Sequence, residues 1–163
     1  PFNGSTLSNS LEIFHVAHGR YETASPILTF VPYGDANVVA GYMCTPVVHF
    51  SLEDVKPGTQ VKGSTVAELG PGNIPIDIVS YTRDGQEYLL ISTAGLPLMK
   101  IDCRDIDKQE PLTQPKEPVG VPRKMLQQNG VGYMANLNGS YVLMMEQDEE
   151  GNTDLRSYSI ATL

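Results

Sequence analysis

The sequence predicts an all-β protein, specifically a partial β-propeller of about three antiparallel four-stranded blades, and three observations lead there. The first is an internal repeat. Phe30-Val31-Pro32-Tyr33 answers to Ile78-Val79-Ser80-Tyr81 at an offset of 48, and residues 46–55 answer to residues 97–106 at an offset of 51. The difference in offset falls on the Asp84-Gly85-Gln86 turn, which lengthens the second copy. A period of ~50 residues built from short β-type runs is the mark of propeller blades, each of which buries its faces only against its neighbours. The second observation is punctuation: short apolar runs are bounded by Gly, Pro, Asn and Asp clusters. The third is the lack of any long segment with a 3.6-residue apolar period, so helix is expected to be scarce.

Residues 1–10 are polar and rich in Ser and Asn, and are expected to form a flexible lead-in. A first blade-like repeat spans 11–73, with β-type runs at 11–15, 27–31, 38–43, 47–50 and 61–69, and closes on the turn cluster Gly70-Pro71-Gly72-Asn73. A second spans 74–106, with runs at 76–81, 87–93 and 97–101. Asp84-Gly85 between two of its runs signals a tight hairpin, because that turn needs positive φ. Residues 107–120 are rich in Lys, Glu, Gln and Pro and read as a connecting loop. A divergent third repeat spans 121–163: runs at 130–136, 141–146 and 154–160 are separated by Asn138-Gly139 and by the acidic turn 148–152. Its last run alternates as an outer, half-exposed strand does.

A ring of this kind closes with about 4–8 blades, so three blade-like repeats leave raw sheet edges that invite pairing. The expectation is a fragment or subunit of a larger propeller, completed by a protein partner or by self-association. A net charge of −8 argues against nucleic acid as a partner, since phosphate binders carry a basic face. No apolar run reaches the ~20 residues of a membrane helix, so no membrane partner is expected, and no signal-peptide pattern is present. Cys44 and Cys103 have no metal or redox spacing and occupy non-equivalent places in the repeat; they read as free thiols.

Candidate chemistry concentrates in residues 14–23, where His15 and His18 are followed by Arg20 and Glu22. These four are the candidate ligand-binding residues, and His15 and His18 are candidate ligands for a transition metal, which imidazole suits. In a straight strand, positions i and i+3 point to opposite faces, so one ion can be shared only if the chain turns between Val16 and Gly19. Glu22 or His49 is the candidate to complete such a site. Glu68, Asp77, Asp54 and Asp105 recur near turns and are expected to satisfy backbone N–H groups. Arg83 and Arg123 are surface arginines or, alternatively, anion ligands in a central channel. No haem-attachment motif, nucleophile elbow or phosphate loop is present.

The combination of His15-x-x-His18-Gly19 with Glu22-Thr23, then Pro26-Ile27 with Phe30-Val31-Pro32, then Val66-Ala67-Glu68-Leu69-Gly70 with Asn73-x-Pro75-Ile76-Asp77, resembles a group of secreted or periplasmic bacterial β-propeller proteins. The resemblance runs from about residue 13 to the end and matches the later blades. It implies a propeller fold and an extracytoplasmic location, and no reaction. The leading functional expectation is therefore an extracytoplasmic β-propeller subunit acting as a ligand- or protein-binding scaffold. The alternative is a metal-dependent enzyme subunit using His15 and His18. A third reading is an accessory subunit that docks a redox protein through its acidic face, in which case salt would weaken the complex.

Overall fold

Antiparallel hairpins account for most of the described chain, and most of them reverse at a glycine or asparagine, the turn at Cys44 being an exception. The structure, a computed structural model, describes residues 9–115 and 119–163. Of the lead-in expected over 1–10, only Asn9 and Ser10 are described, and Asn9 is tied down: its side-chain amide donates to the carbonyls of Lys56 at 2.6 Å and Thr59 at 2.8 Å.

Four sheets form among the described residues, and none closes on itself. The first is small: β1 (Ser10–His15) pairs antiparallel with β2 (Arg20–Glu22) and parallel with β6 (Gln60–Lys62). The second is the meander β3 (Ile27–Tyr33), β4 (Asn37–Tyr42), β5 (Pro46–Ser51) and β7 (Ser64–Glu68), with β11 (Val119–Gly120) added at its edge. The third contains β8 (Pro75–Arg83), β9 (Gln86–Thr93), β10 (Met99–Asp102) and β12 (Lys124–Met125). The fourth is β13 (Val131–Leu137), β14 (Tyr141–Gln147) and β15 (Thr153–Ser159).

The all-β class is as expected, and among the described residues helix is confined to α1 (Cys103–Lys108) and two single 3-10 turns. Strand counts depart from a uniform four. Residues 11–73 build two sheets rather than one, because β1, β2 and β6 pair with each other and not with the meander. The loop expected over 107–120 begins inside α1 and ends as β11, whose pairing with β7 gives the second sheet its fifth strand.

Turn chemistry explains the register of the hairpins. Asp84 and Gly85 (φ 52° and 75°) join β8 to β9, and Asn138 and Gly139 (φ 46° and 69°) join β13 to β14. Two successive left-handed residues match the twist of the strands they connect. The segments aligned in the sequence occupy corresponding strands: 30–33 and 78–81 lie in the first strands β3 and β8, while 46–55 and 97–106 hold the third strands β5 and β10. Each third strand runs into a short helical turn capped by a side chain, Ser51 accepting from Glu53 N and Asp102 from Arg104 N.

Three apolar clusters hold the four sheets as successive layers. Ile13 and Val61 of the first sheet pack on Ala40, Tyr42, Val48 and Phe50 of the second. The opposite face of the second sheet, through Val39, Val47 and Val66, meets Ile78, Leu89, Ile91 and Met99 of the third. The far face of the third sheet, through Val79, Tyr81, Leu90 and Leu98, meets Val131, Met134, Val142 and Met144 of the fourth. Burial on both faces is why the central strand β9 reads Leu89-Leu90-Ile91 with no polar alternation, each side chain contributing about 1.5–3 kcal/mol of transfer free energy. Asp77 fastens the first strands together. Its carboxylate accepts from Met134 N at 2.7 Å and Ile78 N at 2.9 Å and from Thr29 Oγ1 at 3.3 Å, so one side chain touches β3, β8 and β13.

The first sheet is clamped onto the second by close backbone approach. Gly63 lies where a Cβ would stand 2.5 Å from both Phe50 and Val48, and its N–H donates to Glu12 O at 2.8 Å. Thr65 Oγ1 donates to Phe14 O at 2.6 Å. This packing fixes the end of β1, where the candidate histidines begin.

Candidate metal centre

β1 ends at His15, and the chain then makes one 3-10 turn, Val16–His18. Gly19 closes the turn in the left-handed region at φ 64°, its N–H donating to His15 O at 2.8 Å and Val16 O at 3.0 Å. In a 3-10 turn the side chains at i and i+3 eclipse. The condition that strand geometry imposed on the two histidines is met this way: their ring centroids are 3.8 Å apart with an interplanar angle of 32°.

After Gly19 the chain returns as β2, with His15 opposite Arg20, Phe14 opposite Tyr21 and Ile13 opposite Glu22. The Phe14 and Tyr21 rings pack edge to face at 5.2 Å and stiffen this ribbon. Glu22 stands diagonally across from His15 and reaches both imidazoles. One carboxylate oxygen is bound to His15 Nδ1, and both oxygens lie 3.2 Å from His18 Nδ1. Arg20 Nε donates to the same carboxylate at 3.4 Å. The other three candidate residues thus gather around Glu22.

Burial raises the Glu22 carboxyl, but its hydrogen bonds and charge interactions with the two histidines outweigh that and hold it below the usual carboxylate range. Glu22 therefore acts as an ionised acceptor that fixes the tautomer and orientation of both rings. With each Nδ1 committed to it, Nε2 is the nitrogen left on each ring for another partner. His15 is fully buried, and among the described residues its Nε2 has no hydrogen-bond partner. A buried polar atom left unpaired costs about 1–3 kcal/mol, so the site favours any ligand that satisfies it.

The sequence reading missed Cys44. A nitrogen of each histidine and Cys44 Sγ all lie within 4.8 Å of one another, with His15 buried, Cys44 half-buried and His18 exposed. Metal–ligand bonds of about 2.0–2.3 Å place donor atoms roughly 3.5 Å apart, a contraction that the partly free side chains of His18 and Cys44 can supply. Cys44 sits between β4 and β5 and has φ 74°, a left-handed conformation that costs a non-glycine residue about 1–2 kcal/mol. Two local hydrogen bonds hold the turn, Met43 N to Pro26 O and Leu69 N to Thr45 O. A cysteine at a position that suits glycine or asparagine was the available clue, but nothing in the linear spacing joins residue 44 to residue 15.

The remaining candidates lie elsewhere. His49 is on β5, its Nε2 2.8 Å from Asn37 Oδ1 and its ring 5.8 Å from that of Tyr33, and it is not part of the cluster. Glu22, the other residue expected to complete the site, holds the histidines from behind. Cys103 is buried in the core, where burial, then the charges of Glu87, Asp102 and Asp107, push its thiol up to about 12. It is free, as is Cys44. Arg83 and Arg123 line one cleft of about 560 Å³ with Lys100 and Lys124. Arg83 donates to the carbonyls of Ile160, Ala161 and Leu163, and Arg123 to those of Val119, Val121 and Glu68, so both stitch backbone. Glu68 accepts from Gly70 N at 3.3 Å, a turn role like that expected for these carboxylates. No helix among the described residues is long and apolar enough to cross a membrane. No protein-family model and no curated protein matches the chain.

Proposed function

We propose that this chain is a metal-binding β-propeller module whose centre is built on His15 and His18. The observation that carries this reading is the pair of imidazoles held through Nδ1 by one carboxylate, with the buried Nε2 of His15 unpartnered. A carboxylate behind a ligating histidine fixes ring orientation and raises its basicity, the arrangement common behind metal-bound histidines. Rigidity supports the reading as well, because His15 ends a strand clamped between β2 and β6 and packed on the second sheet.

The propeller part of the proposal rests on the meanders that begin at β3, β8 and β13. Their first strands contact one another in sequence, β3 against β8 and β8 against β13, as inner strands around an axis would. Asp77 joins the same three strands. Such sheets give a stiff support for a site at one end.

Metal content decides the matter. The full chain, loaded with a mixture of Zn(II), Cu(II) and Ni(II) and desalted, is expected to retain one ion per chain by elemental analysis and native mass spectrometry. His15→Ala and His18→Ala are each expected to lose it while keeping the wild-type circular dichroism spectrum. Retention of metal by both variants, or none in the wild type, overturns the reading.

The scaffold function stands second, and a specific observation favours it. The outer face of the fourth sheet is apolar and open: Tyr133 and Leu155 are 65% and 69% exposed, with Leu137, Tyr141 and Met145 beside them. A contiguous apolar face of that kind suits a further blade or a protein partner. Sedimentation of the full chain tests it, self-association being the expected result.

A further inference from the structure

We infer that the ion at this centre is copper, and that the Cys44 thiolate is its third ligand beside the imidazoles of His15 and His18. This rests on the metal-centre reading above and adds the ion's identity and the ligand that selects it.

The argument starts from the donor set. Hard cations such as Mg²⁺ and Ca²⁺ take oxygen ligands, and iron–sulfur clusters take four thiolates, so two imidazoles and one sulfur fit neither. Zn²⁺ in a structural site takes four protein ligands in a tetrahedron, and a zinc site with three protein ligands adds water as its fourth, so coordination number alone leaves zinc as the competitor that the test below includes. Among the described residues, this cluster brings together three: His15, His18 and Cys44. Two imidazoles and one thiolate in a trigonal arrangement is a set that copper occupies, soft thiolate suits Cu(I), and between the divalent ions Cu²⁺ exceeds Zn²⁺ in intrinsic affinity for a given site.

Placement of the sulfur agrees. Cys44 is half-buried beside a fully buried imidazole, on a turn fixed at both ends by backbone hydrogen bonds. Its left-handed backbone, φ 74°, is a strained conformation held by the surrounding structure, and such strain gathers at functional sites. Binding proceeds by loss of the Cys44 S–H proton to solvent as the sulfur–copper bond forms, while His15 and His18 bind as neutral imidazoles through Nε2. Glu22 keeps both Nδ1 positions occupied, so the ion meets only Nε2.

The test uses the full reduced chain under anaerobic conditions, with Cu(I) delivered from a coloured Cu(I) chelator and Zn(II) present at equal concentration. One Cu(I) per chain, not displaced by Zn(II), is expected. Cys44→Ser is expected to weaken Cu(I) binding by roughly 100-fold or more, since one of three ligands is gone. Addition of Cu(II) to the wild type is expected to give a sulfur-to-copper charge-transfer band in the visible, absent from Cys44→Ser. Should Cys44→Ser fold poorly, Cys44→Gly serves instead, because glycine suits the left-handed backbone. Displacement of copper by Zn(II) overturns the assignment of the ion. Copper affinity and visible spectrum unchanged by loss of the thiol overturn the assignment of the ligand. Either result leaves the histidine centre standing provided His15→Ala still abolishes binding. If His15→Ala and His18→Ala bind as well as the wild type, the centre itself is refuted.

Discussion

The first and fourth sheets are both three-stranded, and they treat their side chains in opposite ways. The first encloses a polar group: His15 is fully buried at the end of β1, with Ile13 beneath it packed on the second sheet. The fourth exposes apolar ones, with Tyr133, Met145 and Leu155 on its outer face. Both are departures from the rule that apolar groups are buried and polar groups solvated or paired, and each underlies one of the two proposed functions. A buried nitrogen without a partner calls for a ligand that can coordinate it, whereas an open apolar face calls for a surface to cover it.

Five measurements break or sharpen that contrast. The largest effect is expected from the clamp under the proposed metal centre. Ile13→Ala removes a side chain that is 1% exposed and is expected to cost about 2–5 kcal/mol in urea unfolding. A loss well under 1 kcal/mol would mean that the first sheet is not cooperatively joined to the second.

Next comes linkage between copper and folding. At a free Cu(I) concentration one hundred times its dissociation constant, a ligand that binds only the native state adds about 2.7 kcal/mol, and the urea midpoint of the wild type is expected to rise accordingly. His15→Phe, which fills the same space without the nitrogen, is expected to show no rise. Glu22→Gln is expected to be milder: a neutral amide holds the two Nδ1 atoms less firmly, and metal affinity measured by chelator competition should fall about 10- to 100-fold. An unchanged affinity would assign Glu22 to ordinary strand pairing.

Smaller still is a pH effect away from the centre. Burial holds the His49 imidazole below its ordinary 6.5 against the opposing charges of Asp107 and Asp54. As pH falls through 6.5 the unfolded chain therefore takes up this proton before the native one, and native stability declines until the lower native value is reached. The decline is expected to begin below pH 6.5 in the wild type and to flatten over that interval in His49→Gln, as read by urea midpoints at successive pH values.

The smallest change in stability belongs to the open face. Leu155→Glu is expected to alter unfolding free energy by no more than about 0.5 kcal/mol, as surface substitutions do. Self-association in sedimentation should nevertheless weaken, and unaltered association would assign the contact to another surface.

Much of the fold was legible because its signals are local. Asp84-Gly85 and Asn138-Gly139 are residues that tolerate the positive φ of a hairpin turn, and both turns are found there. The site was half legible for the same reason. His15, His18, Arg20 and Glu22 lie within one short ribbon, and Gly19 supplies the turn that folds His18 back over His15. His49 read in the sequence as a strand residue that could at most add a third ligand, and its strand directs it to Asn37.

What the sequence alone determined was the alternation of strand and turn, since backbone conformation and side-chain period act over a few residues. Only tertiary structure decided which sheets lie against one another, that β1, β2 and β6 separate from the meander, and that Cys44 arrives beside His15 across 28 intervening positions. Those outcomes depend on burying both faces of the middle sheets at once. The free energy that selects them belongs to the packed assembly of layers and to no single segment.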